Sequence, residues 1–172
     1  MVKVVFYGNI ASGKTTLCYE LEKYNFKCNE VELDDLNILR KVKDPLKREI
    51  IFYNEFDRKE KSFPPYINSN TKITVLSFLE LFRYYDKVKE FMNKINFKEY
   101  FVIYLKGDPE TSYNWYLKRK REDSGFWDKE KFYELDKILY KQFNSFKYKL
   151  YDYIVIEDIS LESRVNKVIK NL

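Results

Sequence analysis

The sequence predicts an α/β fold in which a parallel sheet is covered by helices on both faces. Two observations lead there. Short apolar, β-branched runs of strand length alternate with stretches whose apolar residues recur at helical spacing, and right-handed crossovers between parallel strands put such helices on the sheet faces. Glycine and proline fall between these segments, where they punctuate the pattern. At 172 residues, with no internal repeat and no linker, the chain is expected to form one domain over 1–172.

Val2 to Tyr7 is apolar apart from Lys3, has the length of a buried parallel strand, and runs directly into a glycine turn. Thr15 to Tyr24 carries Leu17, Leu21 and Tyr24 at helical spacing. Lys27 to Leu33 reads as a second strand with Val31 and Leu33 toward the core, and Asp34 or Asp35 can cap the short helix after it. Asp44 and Pro45 are a cap followed by a first-turn proline; Leu46, Ile50 and Tyr53 continue that helix until Phe63, Pro64 and Pro65 break it. Lys72 to Phe78 is a third strand, and Leu81, Tyr85, Val88, Met92 and Ile95 form the next helical stripe. Tyr100 to Leu105 is a fourth strand, ended by Gly107; Asp108 and Pro109 repeat the helix-start signal before a basic helix reaching Glu122. Beyond Ser124 and Gly125, the residues Phe132, Leu135, Leu139, Gln142, Phe143 and Phe146 mark a long helix. A fifth strand, Tyr153 to Ile156, and a helix from about Leu161 complete the alternation.

Composition narrows the chemistry. Histidine is absent, which removes the commonest general base and metal ligand, so proton transfer falls to a carboxylate, lysine, tyrosine or water. Cys18 and Cys28 lack metal-like spacing and read as reduced residues in or near the core. The hydrophobic fraction of 45% suits a globular chain, and no apolar run approaches the ~20 residues of a membrane span. Without a signal-peptide pattern at the amino terminus, a cytoplasmic location is expected. The net charge of +5 is spread along the chain and fits an anionic small substrate about as well as a nucleic acid.

Half of the four glycines lie within eight residues. Gly8-Asn9-Ile10-Ala11-Ser12-Gly13-Lys14-Thr15 matches the phosphate-binding P-loop pattern G-x-x-x-x-G-K-[ST] in full, and a strand precedes it and a helix follows it as the pattern requires. Its glycines let the backbone wind so that successive N–H groups point inward around a phosphate, with the helix dipole adding to the attraction. Lys14 supplies a cation for the β and γ phosphates of ATP, the Thr15 hydroxyl is the Mg2+ ligand, and Thr16 continues the binding segment. The alternative is a tight strand-to-helix turn with no ligand. In sheets of this kind ligands sit at the carboxyl ends of the strands, where this motif falls.

A second basic cluster, Lys118-Arg119-Lys120-Arg121, reads by itself as a solvated helix face or a nucleic-acid patch. It follows the fourth strand by one helix and precedes Ser124-Gly125, the place where P-loop kinases carry a lid whose arginines neutralise the migrating phosphoryl group. Arg119 and Arg121 are the candidates for that role, in a lid of about 113–127, and Trp115 and Trp127 flank it without a catalytic assignment.

These segments resemble the P-loop nucleoside and nucleotide kinases. "YGNIASGKTT" is similar to the P-loop of deoxynucleoside kinases, and "YLKGDPETSYNWYLKRKRED" from Tyr104 to Asp123 to their lid segment. "FYNEFDRKE" from Phe52 to Glu60 resembles the thymidylate kinase helix whose arginine binds the acceptor monophosphate, which points to Arg58. The resemblance implies a three-layer P-loop kinase fold, with a five-stranded parallel sheet in the order 2-3-1-4-5 and a helical lid; dimers are frequent in the family, so a homodimer is the assembly it implies. It also implies a carboxylate just after the second strand, where Asp34 is the candidate base or magnesium partner and helix capping accounts for it equally well. Both families place an acid followed by arginine at the end of the third strand. Here that end reads Val75-Leu76-Ser77-Phe78, and Glu80 and Arg83 are the nearest substitutes. A nucleobase needs a flat apolar slot; the helix with Tyr53 and Phe56 could supply it, although such aromatics are more often core or rim.

The expected activity is ATP-dependent phosphoryl transfer to a deoxynucleoside or a nucleoside monophosphate. Two rival readings are a degenerate nucleotide-binding protein without turnover, motivated by the strand-three sequence, and a nucleic-acid 5'-kinase or binding module using Lys118 to Arg121. Nucleic acid ranks below a small-molecule acceptor because there is one dense basic cluster only.

Overall fold

The computed structural model describes residues 3–32, 73–77, 100–119, 128–147 and 152–172, with isolated positions between 43 and 54. Among these residues the strands are β1 (Lys3–Gly8), β2 (Cys28–Glu32), β3 (Ile73–Ser77), β4 (Tyr100–Leu105) and β5 (Asp152–Ile156). The helices are α1 (Lys14–Glu20), α2 (Pro109–Lys118), α3 (Lys129–Phe146) and α4 (Leu161–Asn171).

The strands pair side by side, all parallel, in the order β2-β3-β1-β4-β5. Parallel strands need crossovers, and helices then shield both faces, so the central strands are apolar on both sides rather than alternating. β4 shows this: Val102, Ile103, Tyr104 and Leu105 are all buried, with successive side chains on opposite faces. Register brings the carboxyl ends together. Gly8 pairs with Leu105, Leu105 with Ile156, and Glu32 with Ser77, so β1, β4 and β5 end level beside one another.

On one face Val4, Phe6, Ile103, Leu105 and Ile156 pack with Leu17, Cys18 and Leu21 from α1 and its continuation, and with Val165 and Val168 of α4. On the other, Tyr104 stacks on Phe143 of α3 at 4.7 Å and lies 5.5 Å from Tyr7. Tyr116 and Phe132, 5.5 Å apart, join α2 to α3. Such ring pairs contribute about 0.5–1.5 kcal/mol each beyond burial.

Three helix starts follow the expected capping chemistry. The side chains of Asp108, Asp128 and Ser160 each accept from the backbone N–H three residues on. The helix anticipated from Thr15 to Tyr24 is α-helical only to Glu20; Leu21–Tyr24 tighten into a 3-10 turn that Asn25 closes at φ 66, a left-handed conformation asparagine tolerates. α2 stops at Lys118, where Arg119 takes an extended conformation.

The cysteines require a correction. Cys18 and Cys28, expected to be reduced, form a disulfide with 5.4 Å between their Cα atoms. They stand ten positions apart in sequence, and spacing alone does not show that α1 and β2 pack together; the fold brings the two sulfurs into bonding distance.

Candidate active site

Gly8 ends β1 and Lys14 begins α1, and the backbone between them reverses tightly. Gly13 sits at φ 88 and Ala11 at φ 55, so the winding passes twice through the left-handed region. A Cβ on Gly8 would come within 2.6 Å of the Leu105 carbonyl oxygen, and one on Gly13 within 2.6 Å of Arg164 Nη1. Gly8 is therefore demanded by a backbone oxygen of β4, and Gly13 by its left-handed φ, with the Arg164 guanidinium also close to the space a side chain would take.

Four carbonyls of the loop, those of Gly8, Asn9, Ser12 and Gly13, accept from nearby donors. Lys14 Nζ donates to the carbonyls of Gly8 at 2.9 Å and Asn9 at 2.6 Å, and to Ser12 Oγ at 3.4 Å. The Ser12 carbonyl accepts from Arg164 Nη1 at 2.6 Å, and the Gly13 carbonyl from Leu17 N–H at 2.9 Å as the first turn of α1. Lys14 is only 7% exposed, which holds its ammonium against the loop instead of in bulk water. Asn9 is locked from α3: its Nδ2 donates to Asp136 Oδ1 at 3.2 Å and to the Phe132 carbonyl at 3.4 Å, while its Oδ1 accepts from Ile10 N–H at 2.7 Å.

Two loops at the same sheet edge complete the surroundings. Lys106 and Gly107, just past β4, donate their N–H groups to the Ile156 carbonyl at 3.0 and 3.4 Å. Asp158, just past β5, accepts from Arg164 Nε through its carbonyl at 2.7 Å. Arg164 thus ties the loop after β5 to the P-loop, with its guanidinium 5.8 Å from the Trp115 ring centre. Burial pushes the Arg164 pKa down, although guanidinium remains protonated at any ordinary pH. Burial likewise raises the Asp136 carboxyl above the usual aspartate value, opposed in part by the Asn9 hydrogen bond.

Of the residues anticipated from sequence, Gly8, Asn9, Ile10, Ala11, Ser12, Gly13, Lys14, Thr15 and Thr16 stand together at this edge, with Asn9, Ile10, Ser12 and Lys14 buried and Thr16 exposed. Arg119 lies just beyond α2, half-buried, with its guanidinium 4.8 Å from the Tyr116 ring centre. Asp34, Tyr53, Phe56, Arg58, Arg83 and Arg121 lie outside the described residues. Asp136 and Arg164 were missed, and a signal existed for each. Arg164 falls on the buried stripe Leu161-Arg164-Val165-Val168 of α4, and Asp136 beside Phe132, Leu135 and Leu139 on α3, so each is a charge placed where helical periodicity calls for an apolar residue.

This architecture is the P-loop kinase fold. No protein-family model and no curated protein matches the sequence. Among solved structures, deoxyadenosine kinase from M. mycoides with bound dATP is similar over 98% of each chain, at a TM-score of 0.74 and 16% identity. The same enzyme with bound dCTP gives 0.71 at 16% identity, over 98% of this chain and 97% of that one. Shikimate kinase from Acinetobacter baumannii in complex with shikimate gives 0.58 at 16% identity, over 99% of this chain and 92% of the other.

Proposed function

We propose that the protein is an ATP-dependent kinase, one domain over 1–172, that phosphorylates a nucleoside or a nucleoside monophosphate. The observation that carries this reading is the loop from Gly8 to Thr15. Its sequence is the full phosphate-binding pattern, four of its carbonyls are hydrogen-bonded by Lys14, Arg164 and α1, and it lies at the carboxyl edge of the sheet. In a trans peptide the N–H opposes the carbonyl, so the Ser12 carbonyl held by Arg164 turns the Gly13 N–H to the opposite side, and loop N–H groups free of an internal acceptor are the kind that stabilise an oxyanion. Phosphoryl transfer asks little covalent help and depends on positioning and charge neutralisation. Lys14 supplies charge at the phosphates, and Arg119 and Arg121 are assigned to neutralise the group in flight.

Among the described residues no cluster of three or more carboxylate or cysteine side chains could hold a metal alone. Magnesium typically takes one or two protein oxygens together with phosphate and water. Thr15 and Asp34 are the residues assigned to it, and when bound it neutralises charge on the phosphates.

A nucleoside-type acceptor is favoured over a shikimate-type one because the deoxyadenosine kinase fold superposes more closely, with a TM-score of 0.74 against 0.58. Arg58 is assigned to an acceptor phosphate, Tyr53 and Phe56 to the base, and Arg83 to the acceptor side of the third strand. A reading without turnover draws on one observation: β3 ends at Ser77, with no acidic residue on that strand. Incubating the protein with ATP, magnesium and a panel of nucleosides, nucleoside monophosphates and shikimate, with products resolved by chromatography, separates these readings. A phosphorylated nucleoside or nucleotide is the expected product. ATP binding without any product would favour the inactive binder.

A further inference from the structure

Resting on the reading of this loop as a polyphosphate cradle, we propose that Arg164 is its positioning residue, fixing the Ser12–Gly13 peptide from the far end of the chain. The bond from Nη1 to the Ser12 carbonyl, 2.6 Å long, spans 152 positions of sequence. Because that peptide is trans, holding its oxygen against Arg164 turns the Gly13 N–H to the opposite side. A cation on the carbonyl also polarises the peptide and makes that N–H a stronger donor.

Three further facts set Arg164 apart from an ordinary structural arginine. It is 2% exposed, on the apolar stripe of an otherwise amphipathic helix, where a charge is costly unless it has a task. Among the described residues its Nη2 has no hydrogen-bond partner. The carboxylate that acts on it, Asp158, bonds instead to Ser163 and to Lys167, so among the described residues the positive charge is not consumed by a close internal ion pair. The charge is left to act on the loop, and a Cβ on Gly13 would stand 2.6 Å from Nη1.

The test compares Arg164→Gln and Arg164→Lys with the unaltered protein. Calorimetry with inorganic tripolyphosphate and with ATP reads the cradle, and site-resolved amide exchange without ligand reads the Gly13 N–H directly. Arg164→Gln is expected to weaken both ligands about 10- to 100-fold, the range for a hydrogen bond to a charged group. It should also speed exchange at Gly13 more than in β1 or β4, and raise the KM for ATP while leaving that for the acceptor unchanged. Arg164→Lys can reach one carbonyl but not both, so it should recover part of each loss. It also preserves charge and much of the volume, which keeps the test valid if the glutamine variant does not fold. Equal tripolyphosphate affinity in all three proteins, or exchange that rises uniformly across the sheet, overturns the proposal. If the unaltered protein binds neither ligand, the kinase reading fails on that result, while the exchange at Gly13 still decides whether Arg164 positions the peptide.

Discussion

Asn9 Nδ2 donates to Asp136 Oδ1 at 3.2 Å, which joins the loop after β1 to the middle of α3 across 127 positions of sequence. The bond anchors one side of the cradle as Arg164 anchors the other. Its acceptor is a half-buried carboxyl whose pKa burial raises, so the two ends of the loop rest on groups of opposite charge.

Asp136 makes stability fall as the solution becomes less acid. A carboxyl with a raised folded pKa binds more protons folded than unfolded between 3.8 and that raised value, so its contribution is full below 3.8 and is lost as pH rises through the folded pKa. Asp136→Asn keeps an acceptor for Asn9 and removes the titration. Urea midpoints followed from pH 3.5 to 7, roughly the window of an elevated carboxyl, should show a component of decline in the unaltered protein that the variant lacks. Parallel curves for the two proteins would contradict the assignment.

Lys14→Ala should reduce ATP turnover about a hundredfold or more, the scale seen when a donor to developing charge is removed. The carbonyls of Gly8 and Asn9 lose a buried donor, so stability should also drop by about 1–3 kcal/mol. Coupled-assay rates and far-ultraviolet circular dichroism check the two parts separately. Unchanged turnover in a folded variant removes the kinase assignment.

Gly13→Ala should destabilise the protein by about 2–4 kcal/mol, because alanine at φ 88 is strained and its methyl group would stand 2.6 Å from Arg164 Nη1. Combining it with Arg164→Gln relieves the contact but not the dihedral strain. The pair should therefore cost less than the sum of the single changes, a coupling readable from chemical denaturation. Strict additivity would show that the guanidinium does not set the glycine requirement.

Cys18 and Cys28 should resist alkylation in denaturant until a reductant is added. A loop of about ten residues closed by a disulfide is worth about 3 kcal/mol in the unfolded-chain model, so reduction should lower the urea midpoint of the unaltered protein. Cys28→Ala should start at the lower midpoint and not respond to the reductant. Equal midpoints with and without reductant in the unaltered protein would count against the bond.

Local signals carried much of the fold. β4 spans Tyr100–Leu105 as its apolar run indicates, α4 starts at Leu161, and Asp108 caps α2 as the Asp-Pro pair requires, because strand burial and capping act over a few neighbouring residues. The phosphate-binding pattern was legible for the same reason: eight contiguous residues contain the glycines, the lysine and the hydroxyl together. Strand order followed from likeness to a family and not from periodicity, since nothing within a strand names its neighbour.

What the sequence determined by itself was the run of the strands and the helix starts among the described residues, with the loop that joins the first two elements, because hydrophobic period, helix caps and glycine placement are properties of adjacent residues. What tertiary structure alone decided was which distant groups close around that loop: Arg164 on the Ser12 carbonyl, Asp136 on Asn9, and Cys18 against Cys28. The physical reason is that hydrogen bonds and disulfides depend on separations of a few ångströms in space, and a chain folded through parallel crossovers makes neighbours of residues that linear spacing keeps far apart.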